Sequence, residues 1–421
     1  MKGNSDTVNK IIKDSDISLP LKNIKVLDLS RMLPGPYCSM ILADLGAEII
    51  HVNDPRFAYA NPPPFFQKGR YRESAFNSIL MRNKKSISLN LKKEKAREIF
   101  YKLVKQSDIV LETFRPKVTN KLKIDYNTLY DINKSIIYCS LTGYGQNGPY
   151  EQIAGHDMNY VGICGMVDLN RPREIFGLKE QAQCPIVPCI QSADIGGGLV
   201  AAIGILGAVI ERSTNPENKG QYIDISMLDT VFSFMPMTAA LHFSKYINDG
   251  MVKNENILHG NCPYYSIYKT KDNKYVTVGA IEVKFWRDLC AGLGREDLKL
   301  KQMAQGEERE DVFHEVQKEF KTKTQNEWLE IFKDLDACVM PVKSFAQACD
   351  DPQIKAREMV VELDHPKFGK IPNIVSPIKY SRTPLPIRSL APKVGLHTKE
   401  ILKSLGYSTE DIREFTKQGI I

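Results

Sequence analysis

Residues 21–52 read LKNIKVLDLSRMLPGPYCSMILADLGAEIIHV. The run 24–30, IKVLDLS, is short, apolar and bounded by turn-forming residues, which predicts a buried strand. Residues 32–47, MLPGPYCSMILADLGA, read as a loop followed by a helix: Met40, Ile41, Ala43 and Leu45 recur at helical spacing, and Gly46 supplies a C-terminal stop. EIIHV (48–52) is a second strand. Strand, helix and strand in this order form a βαβ unit, whose two strands run parallel.

The pattern repeats outward from this unit. KSISLNL (85–91) alternates as a strand, KKEKAREIFYKLVKQS (92–107) is a basic amphipathic helix, and DIVLETF (108–114) and SIIYCSLTGYG (135–145) are further strands. IGGGLVAAIGILGAVIERS (195–213) is a glycine-rich entry to a long apolar helix, followed by the turn NPENKGQ and the strand YIDISML (222–228). From about Asn254 the character changes. CPYYSIYKTKDNKYVTVGAI (262–281) predicts a β-hairpin, and 308–335 predicts helix. The expected class is therefore α/β, with a first domain of mainly parallel sheet and a small α+β domain over 254–345. A polar tail is expected over 1–19 and linkers over 241–253 and 346–359; the proline-rich SRTPLPIRSLAP (381–392) reads as a linker or extended segment, and 397–421 as two helices.

Composition bounds the function. The chain has 421 residues, 43% of them hydrophobic, enough for a sizeable core. The net charge of +7 is spread through both halves, which suits anionic ligands better than a nucleic-acid tract. Nine cysteines show no CxxC and no zinc spacing, so they read as reduced thiols of a cytoplasmic protein with no metal site. No signal peptide is expected, and no window is read as long and apolar enough to span a membrane. No P-loop follows Gly196–Gly198, and no G-x-G-x-x-G follows the first strand, so a nicotinamide cofactor is not expected. The glycine triplet fits either anion approach or close helix packing.

Four residues invite chemistry, and each has a plainer reading. His156 alone fits a structural histidine, Asp194 a helix N-cap, Glu282 a helix start, and Arg115 an ordinary surface residue. What distinguishes them is that all four fall at element ends, where an α/β sheet presents its ligand-binding loops.

The chain resembles the family III CoA-transferase superfamily over nearly its whole length, through residues 21–52, RNKKSISLNLK, TFRP, LTGYGQNGPY and KGQYIDISML. AGHDMNY (154–160), VGAIE (278–282) and DACVMPV (336–342) make it most similar to the α-methylacyl-CoA racemases. The resemblance implies an interlocked homodimer acting on an acyl-CoA, with no added cofactor, each chain having a large Rossmann-like CoA-binding domain over 20–240 and 360–421 beside the small domain. It implies that His156 and Asp194 transfer protons on opposite faces of the substrate α-carbon, with Glu282 of the partner chain supporting the His156 side. Gly155, Asp157, Met158, Asn159 and Tyr160 would line the acyl-thioester pocket. Arg115 would hold CoA phosphates, with Arg56, Lys85 and the backbone of Ser88 and Leu89 beside it. An enolate between the two acids suits these residue types, because inversion needs one base and one conjugate acid.

Departures from the racemase pattern leave a second reaction open. His156 and Asp194 stand 38 positions apart, with NRPREIFGLKEQAQCP (170–185) as an apparent insertion, and 56–83 is also long. Asp54 precedes Pro55 where racemases often carry arginine, which makes Arg56 the candidate substitute. The alternative is a CoA-transferase in which Asp194 attacks the thioester and carries a mixed anhydride. A CoA-binding or nucleic-acid-binding protein without catalysis is a third reading; it has no need of the His/Asp pair.

Overall fold

The computed structural model describes residues 18–56, 62–170, 185–247 and 258–421. They divide into two compact units, one of residues 18–56, 62–164, 188–233 and 352–421, the other of 165–170, 185–187, 234–247 and 258–351. The second unit thus takes residues 165–170 and 185–187, which the sequence reading had left in the large domain. Most of the expected tail (1–17) lies outside the described residues, as do 57–61, 171–184 and 248–257. Leu19 is no part of a polar tail, since it is only 5% exposed and packs against Gly46 at the end of the first helix.

The first unit is built on a parallel sheet. Its strands are β1 (Lys25–Asp28), β2 (Glu48–Asn53), β5 (Lys84–Ser88), β6 (Ile109–Glu112), β7 (Ile137–Thr142) and β8 (Tyr222–Ser226), in the order β5-β2-β1-β6-β7-β8. Between β2 and β5 the chain inserts an antiparallel hairpin, β3 (Phe65–Lys68) with β4 (Tyr71–Ser74). The expected βαβ opening is present: the helix Pro34–Asp44 joins β1 to β2, which pair in parallel with Asp28 opposite His51. Proline at its start suits a position whose N–H lacks an intrahelical partner, and Gly46 (φ +105°) ends it.

That register creates a buried polar network. Asp28, His51 and Ser86 face the same side on three adjacent strands, with Lys84 two residues before Ser86. Asp28 accepts from Ser39 Oγ at 2.5 Å and from the Ser30 N–H at 2.9 Å, and it lies 3.2 Å from His51 Nδ1 and 3.8 Å from Lys84 Nζ. Burial opposes the charge on Asp28, but His51, Lys84 and the hydroxyls outweigh it and hold the carboxyl well below its usual range. Burial pulls the Lys84 ammonium down to about 8, against the attraction of Asp28.

A second buried pair anchors the end of the chain. Arg82 grips Asp44 through Nη2–Oδ2 (2.6 Å) and Nε–Oδ1 (3.1 Å), and the neighbouring Asn83 Oδ1 accepts the N–H groups of Arg388 (2.6 Å) and Ser389 (3.0 Å). The proline-rich segment 381–392 is therefore docked rather than a free linker. The expected linker 346–359 contains two short helices, Phe345–Cys349 and Pro352–Ala356, and residues 241–247 of the other expected linker end the helix Pro236–Ile247.

The second unit carries the antiparallel strands β9 (Tyr265–Lys269), β10 (Tyr275–Gly279) and β11 (Val339–Pro341) in the order β11-β10-β9. Helices Val283–Leu293, Gly306–Phe320 and Gln325–Phe332 bury Trp286, Phe320 and Trp328 in the same core as Tyr268. Both indoles find a carbonyl: Trp286 Nε1 donates to Leu298 O (3.0 Å) and Trp328 Nε1 to Phe320 O (2.8 Å). The predicted helix 308–335 is broken where Thr324 and Glu327 form a capping box. Back in the first unit, a hairpin that the sequence reading did not identify pairs β12 (Val360–His365) with β13 (Gly369–Ile374).

The helix Ser192–Thr214 corrects one sequence reading and decides between two others. An 18-residue window within it reaches a mean hydropathy of 2.0, so one helix is long and apolar enough to cross a membrane by length and composition. It packs one face against the helix Pro34–Asp44, β7 and β8. The glycine triplet serves this packing: because the helix begins at Ser192, Gly196–Gly198 lie beyond its first turn, and all three are buried. A Cβ at Gly198 would meet Pro34 O at 2.6 Å, whereas one at Gly207 would meet nothing within 4 Å. Gly198→Ala is therefore expected to lower unfolding stability by about 1–3 kcal/mol, and Gly207→Ala to raise it by roughly 0.5–1 kcal/mol, as read by urea denaturation of the two variants.

Candidate active site

The N-termini of two helices meet in the first unit. Asp157 is the first residue of the helix Asp157–Ile163, and its Oδ1 accepts the N–H groups of Ala193 (2.7 Å) and Asp194 (3.1 Å) at the start of the helix Ser192–Thr214. One carboxylate thus caps a helix to which it does not belong. The plainer reading of Asp194 as an N-cap does not hold; Gln191 has that position and Asp194 lies in the first turn.

His156 is the N-cap residue of the helix Asp157–Ile163 and is exposed. Its N–H donates to Asn159 Oδ1 at 2.9 Å, which fixes the backbone from which the imidazole projects. Asp194 is half-buried and raised to about 6, first by burial and then by the Asp157 charge, with His156 acting in the opposite direction. The structure therefore brings His156 and Asp194 into one electrostatic neighbourhood.

Tyr160 forms the wall beside them. It is 4% exposed, its ring stands edge-on to Tyr144 at 5.0 Å, and burial first, then Tyr144 and Asp194, push its hydroxyl up to about 12, while Arg115 acts in the opposite direction. Gly155 is required by contact, since a Cβ there would meet Tyr160 Cε1 at 2.7 Å and the Tyr144 hydroxyl at 2.9 Å. Of the five residues expected to line the acyl pocket, Met158 is exposed, whereas Asp157, Asn159 and Tyr160 are engaged in building the site.

The loop after β6 carries Arg115, which is exposed. Sequence reasoning missed what holds this loop. Glu112, Ser140 and Asp224 stand in register across β6, β7 and β8; Glu112 is 2% exposed and accepts from the Phe114 N–H (2.6 Å) and from the Ser140 hydroxyl. Gln146 ties the next loop to the same row, its side chain donating to Ser140 Oγ (2.8 Å) and its N–H to Asp224 Oδ2 (3.1 Å). Burial pushes Glu112 up to about 7. The available signal was the glycine- and tyrosine-rich GYGQNGPY (143–150) directly after a buried strand.

Other expected binding residues are occupied within the protein. Arg56 pairs with Asp54 through Nε (2.9 Å) and Nη2 (2.7 Å), and Lys85 pairs with Glu48 (2.9 Å) and Glu400 (3.6 Å). The Ser88 N–H donates to Thr398 Oγ1 (3.0 Å) and the Leu89 N–H to Asn53 O (2.8 Å), so neither amide remains as the expected donor to a ligand. Glu282 lies in the second unit, exposed, as N-cap residue of the helix Val283–Leu293. Among the described residues, no group of three or more His, Cys, Asp or Glu is placed to hold a metal.

The model of CoA-transferase family III matches residues 21–398. This chain belongs to CoA-transferase family III. Among its family relatives, the alpha-methylacyl-CoA racemase of Mus musculus is 32% identical over 410 residues, covering 95% of this chain and 97% of that one. The succinyl-CoA:glutarate CoA-transferase of Homo sapiens is 29% identical over 411 residues, covering 96% and 90%. The crystal structure of a CAIB/BAIF family protein from Brucella suis superposes with a TM-score of 0.75 at 28% identity, covering 92% of this chain and 99% of that one. The mixed α/β architecture with a central parallel sheet is that of the family, and both reaction names occur among relatives of similar identity.

The raised Asp194 has a cost in stability. Its folded-state pKa, about 6, exceeds the ordinary aspartate range near 4, so the folded state binds the proton more tightly. The penalty is absent below pH 4, grows from there to about pH 6 and is complete above it. Asp194→Asn is accordingly expected to be more stable than the native chain by about 1–2 kcal/mol at pH 8, after allowance for partial exposure. The difference should vanish at pH 4, as followed by denaturant melts at both pH values.

Proposed function

We propose that this family III enzyme is a racemase that inverts the α-carbon of a 2-methylacyl-CoA thioester. The observation that carries the reading is the convergence of His156 and Asp194, on two helix N-termini joined by Asp157, with Asp194 raised to about 6. A thioester acidifies its α-C–H, and removal of that proton leaves an enolate. Neutral His156 takes the proton from one enantiomer while protonated Asp194 returns one to the opposite face; in the other direction the roles exchange. A carboxyl titrating near 6 supplies both forms close to neutrality. The backbone N–H groups at the start of the helix Asp157–Ile163 are the donors for the enolate oxygen.

Proton transfer of this kind uses the CoA thioester itself and no further cofactor. Arg115, exposed beside Tyr160, is the proposed partner of the CoA phosphates, because a guanidinium meets phosphate oxygens bidentately. A homodimer is part of the proposal, with Glu282 supplied to the His156 side by the partner chain. It is supported by the exposed Leu199, Ile203 and Ile210 along one helix and by Phe232 and Phe243. A cytoplasmic setting accords with eight free cysteines among the described residues.

Incubation with one enantiomer in deuterium oxide and no acceptor acid is expected to add one mass unit to the recovered acyl-CoA and to scramble its configuration. His156→Ala should slow inversion by roughly 10²–10⁴-fold, and proton abstraction by Asp194 should fall about tenfold per pH unit below about 6. A transferase gives the opposite result. Asp194 would become acylated, hydroxylamine would mark it as a hydroxamate, and transfer to an acceptor acid would survive His156→Ala.

A further inference from the structure

A second feature of the first unit lies outside the acid pair. The β3–β4 and β12–β13 hairpins border a cleft of about 410 Å³ lined by Arg72, Glu73, His365 and Lys393. One carboxylate there faces three basic groups: Glu73 lies 2.9 Å from Lys367 Nζ, 3.1 Å from His365 Nε2 and 3.9 Å from Lys393 Nζ. Arg72 adds a further positive charge, its guanidinium held over the Phe65 ring at 3.6 Å from the centroid. Lys367 draws Lys393 below its ordinary pKa, the mark of two ammonium groups crowded together. A cluster built only to hold the two hairpins together would balance with Glu73, His365 and Lys367. The added cations leave an excess of positive charge that an anion would relieve.

This cleft adjoins the strand ends that lead toward the acid pair. It shares Asn77, Pro392 and Val394 with a smaller cleft at the C-terminal ends of β1, β2 and β5, whose other wall includes Ser30 and Arg31. The Arg31 N–H donates to Thr113 Oγ1 at 3.2 Å and its guanidinium lies 5.7 Å from the Phe114 ring centroid, so the smaller cleft ends at the loop that carries Arg115. Arg115 and Asp194 both act on Tyr160. A long ligand with its reacting carbon at Asp194 would pass Arg115 and the strand ends to reach this basic terminus. Ligands of open α/β sheets lie at such strand ends.

We propose that the cleft between the β3–β4 and β12–β13 hairpins binds a phosphomonoester, the 3′-phosphate of the substrate's coenzyme A moiety, through Lys393 and Arg72, with Lys367 adding its charge from beside Glu73. The inference rests on the acyl-CoA reading above. It assigns to Arg72, Lys367 and Lys393 a part in binding for which the sequence offered Arg56, here paired with Asp54.

Calorimetric titration of the full chain with coenzyme A and with dephospho-coenzyme A, which lacks only the 3′-phosphate, tests it. The native chain is expected to prefer coenzyme A by about tenfold or more at about 0.1 M salt. Lys393→Met, at a largely exposed position, should reduce that ratio to below about threefold, and Glu73→Gln, which removes the competing carboxylate, should increase it. Adenosine 3′,5′-bisphosphate should displace coenzyme A at far lower concentration than inorganic phosphate, which separates a subsite of the coenzyme from a site for free phosphate. Equal affinity for the two coenzymes, or a ratio unchanged in Lys393→Met, overturns the subsite and leaves the acyl-CoA reading standing. Failure to bind either coenzyme overturns both.

Discussion

The candidate site depends on a single carboxylate. Asp157 begins one helix and accepts two N–H groups from the start of another, so it fixes the distance between the segments that carry His156 and Asp194. The helix Ser192–Thr214 begins at Gln191 without a side-chain cap of its own, and Asp157 supplies that function from 36 positions earlier in the chain. The same negative charge contributes, after burial, to raising Asp194. Capping and tuning of the acid are thus two consequences of one contact.

Around that contact the polar groups of the sheet form two rows. Asp28, His51 and Ser86 face one side, and Glu112, Ser140 and Asp224 stand in register across the other three strands. In the first row Lys84 and His51 favour ionised Asp28 despite complete burial. In the second, Glu112 has hydroxyl and amide donors but no cation among its influences, and burial prevails, so its pKa rises to about 7. Two buried carboxyls are displaced in opposite directions because only one has cations within reach. The Glu112 row holds both loops beside Tyr160, which explains how exposed loops are positioned by a buried scaffold.

Much of this architecture was legible in residues 21–52. A short apolar run, a helix opened by proline and closed by Gly46, and a second apolar run express local preferences that the tertiary structure keeps. The hairpin of β9 and β10 was legible for the same reason, since alternation over Tyr265–Lys269 and Tyr275–Gly279 flanks a polar turn. Less legible were β3–β4 and β12–β13, whose half-exposed strands lack a clear apolar period. The proline-rich segment 381–392 looked like a linker because its anchorage lies elsewhere, in the side chain of Asn83.

By itself, then, the sequence determined the α/β class, the succession of the main strands along the chain and the residue types able to move a proton, because these follow from periodicity, turn chemistry and side-chain pKa. Only the tertiary structure decided which groups are engaged. Arg56, Lys85 and the amides of Ser88 and Leu89 look like ligands for an anion in one dimension, and in three they already have Asp54, Glu48, Thr398 and Asn53 as partners. Conversely, Asp157 was expected to line a pocket and caps a distant helix, and Glu73, His365, Lys367 and Lys393 meet although 292 positions or more separate the first from the rest. The physical reason is the same throughout. Charge and hydrogen bonding act over a few ångströms in space, and a linear chain carries no record of those distances until it folds.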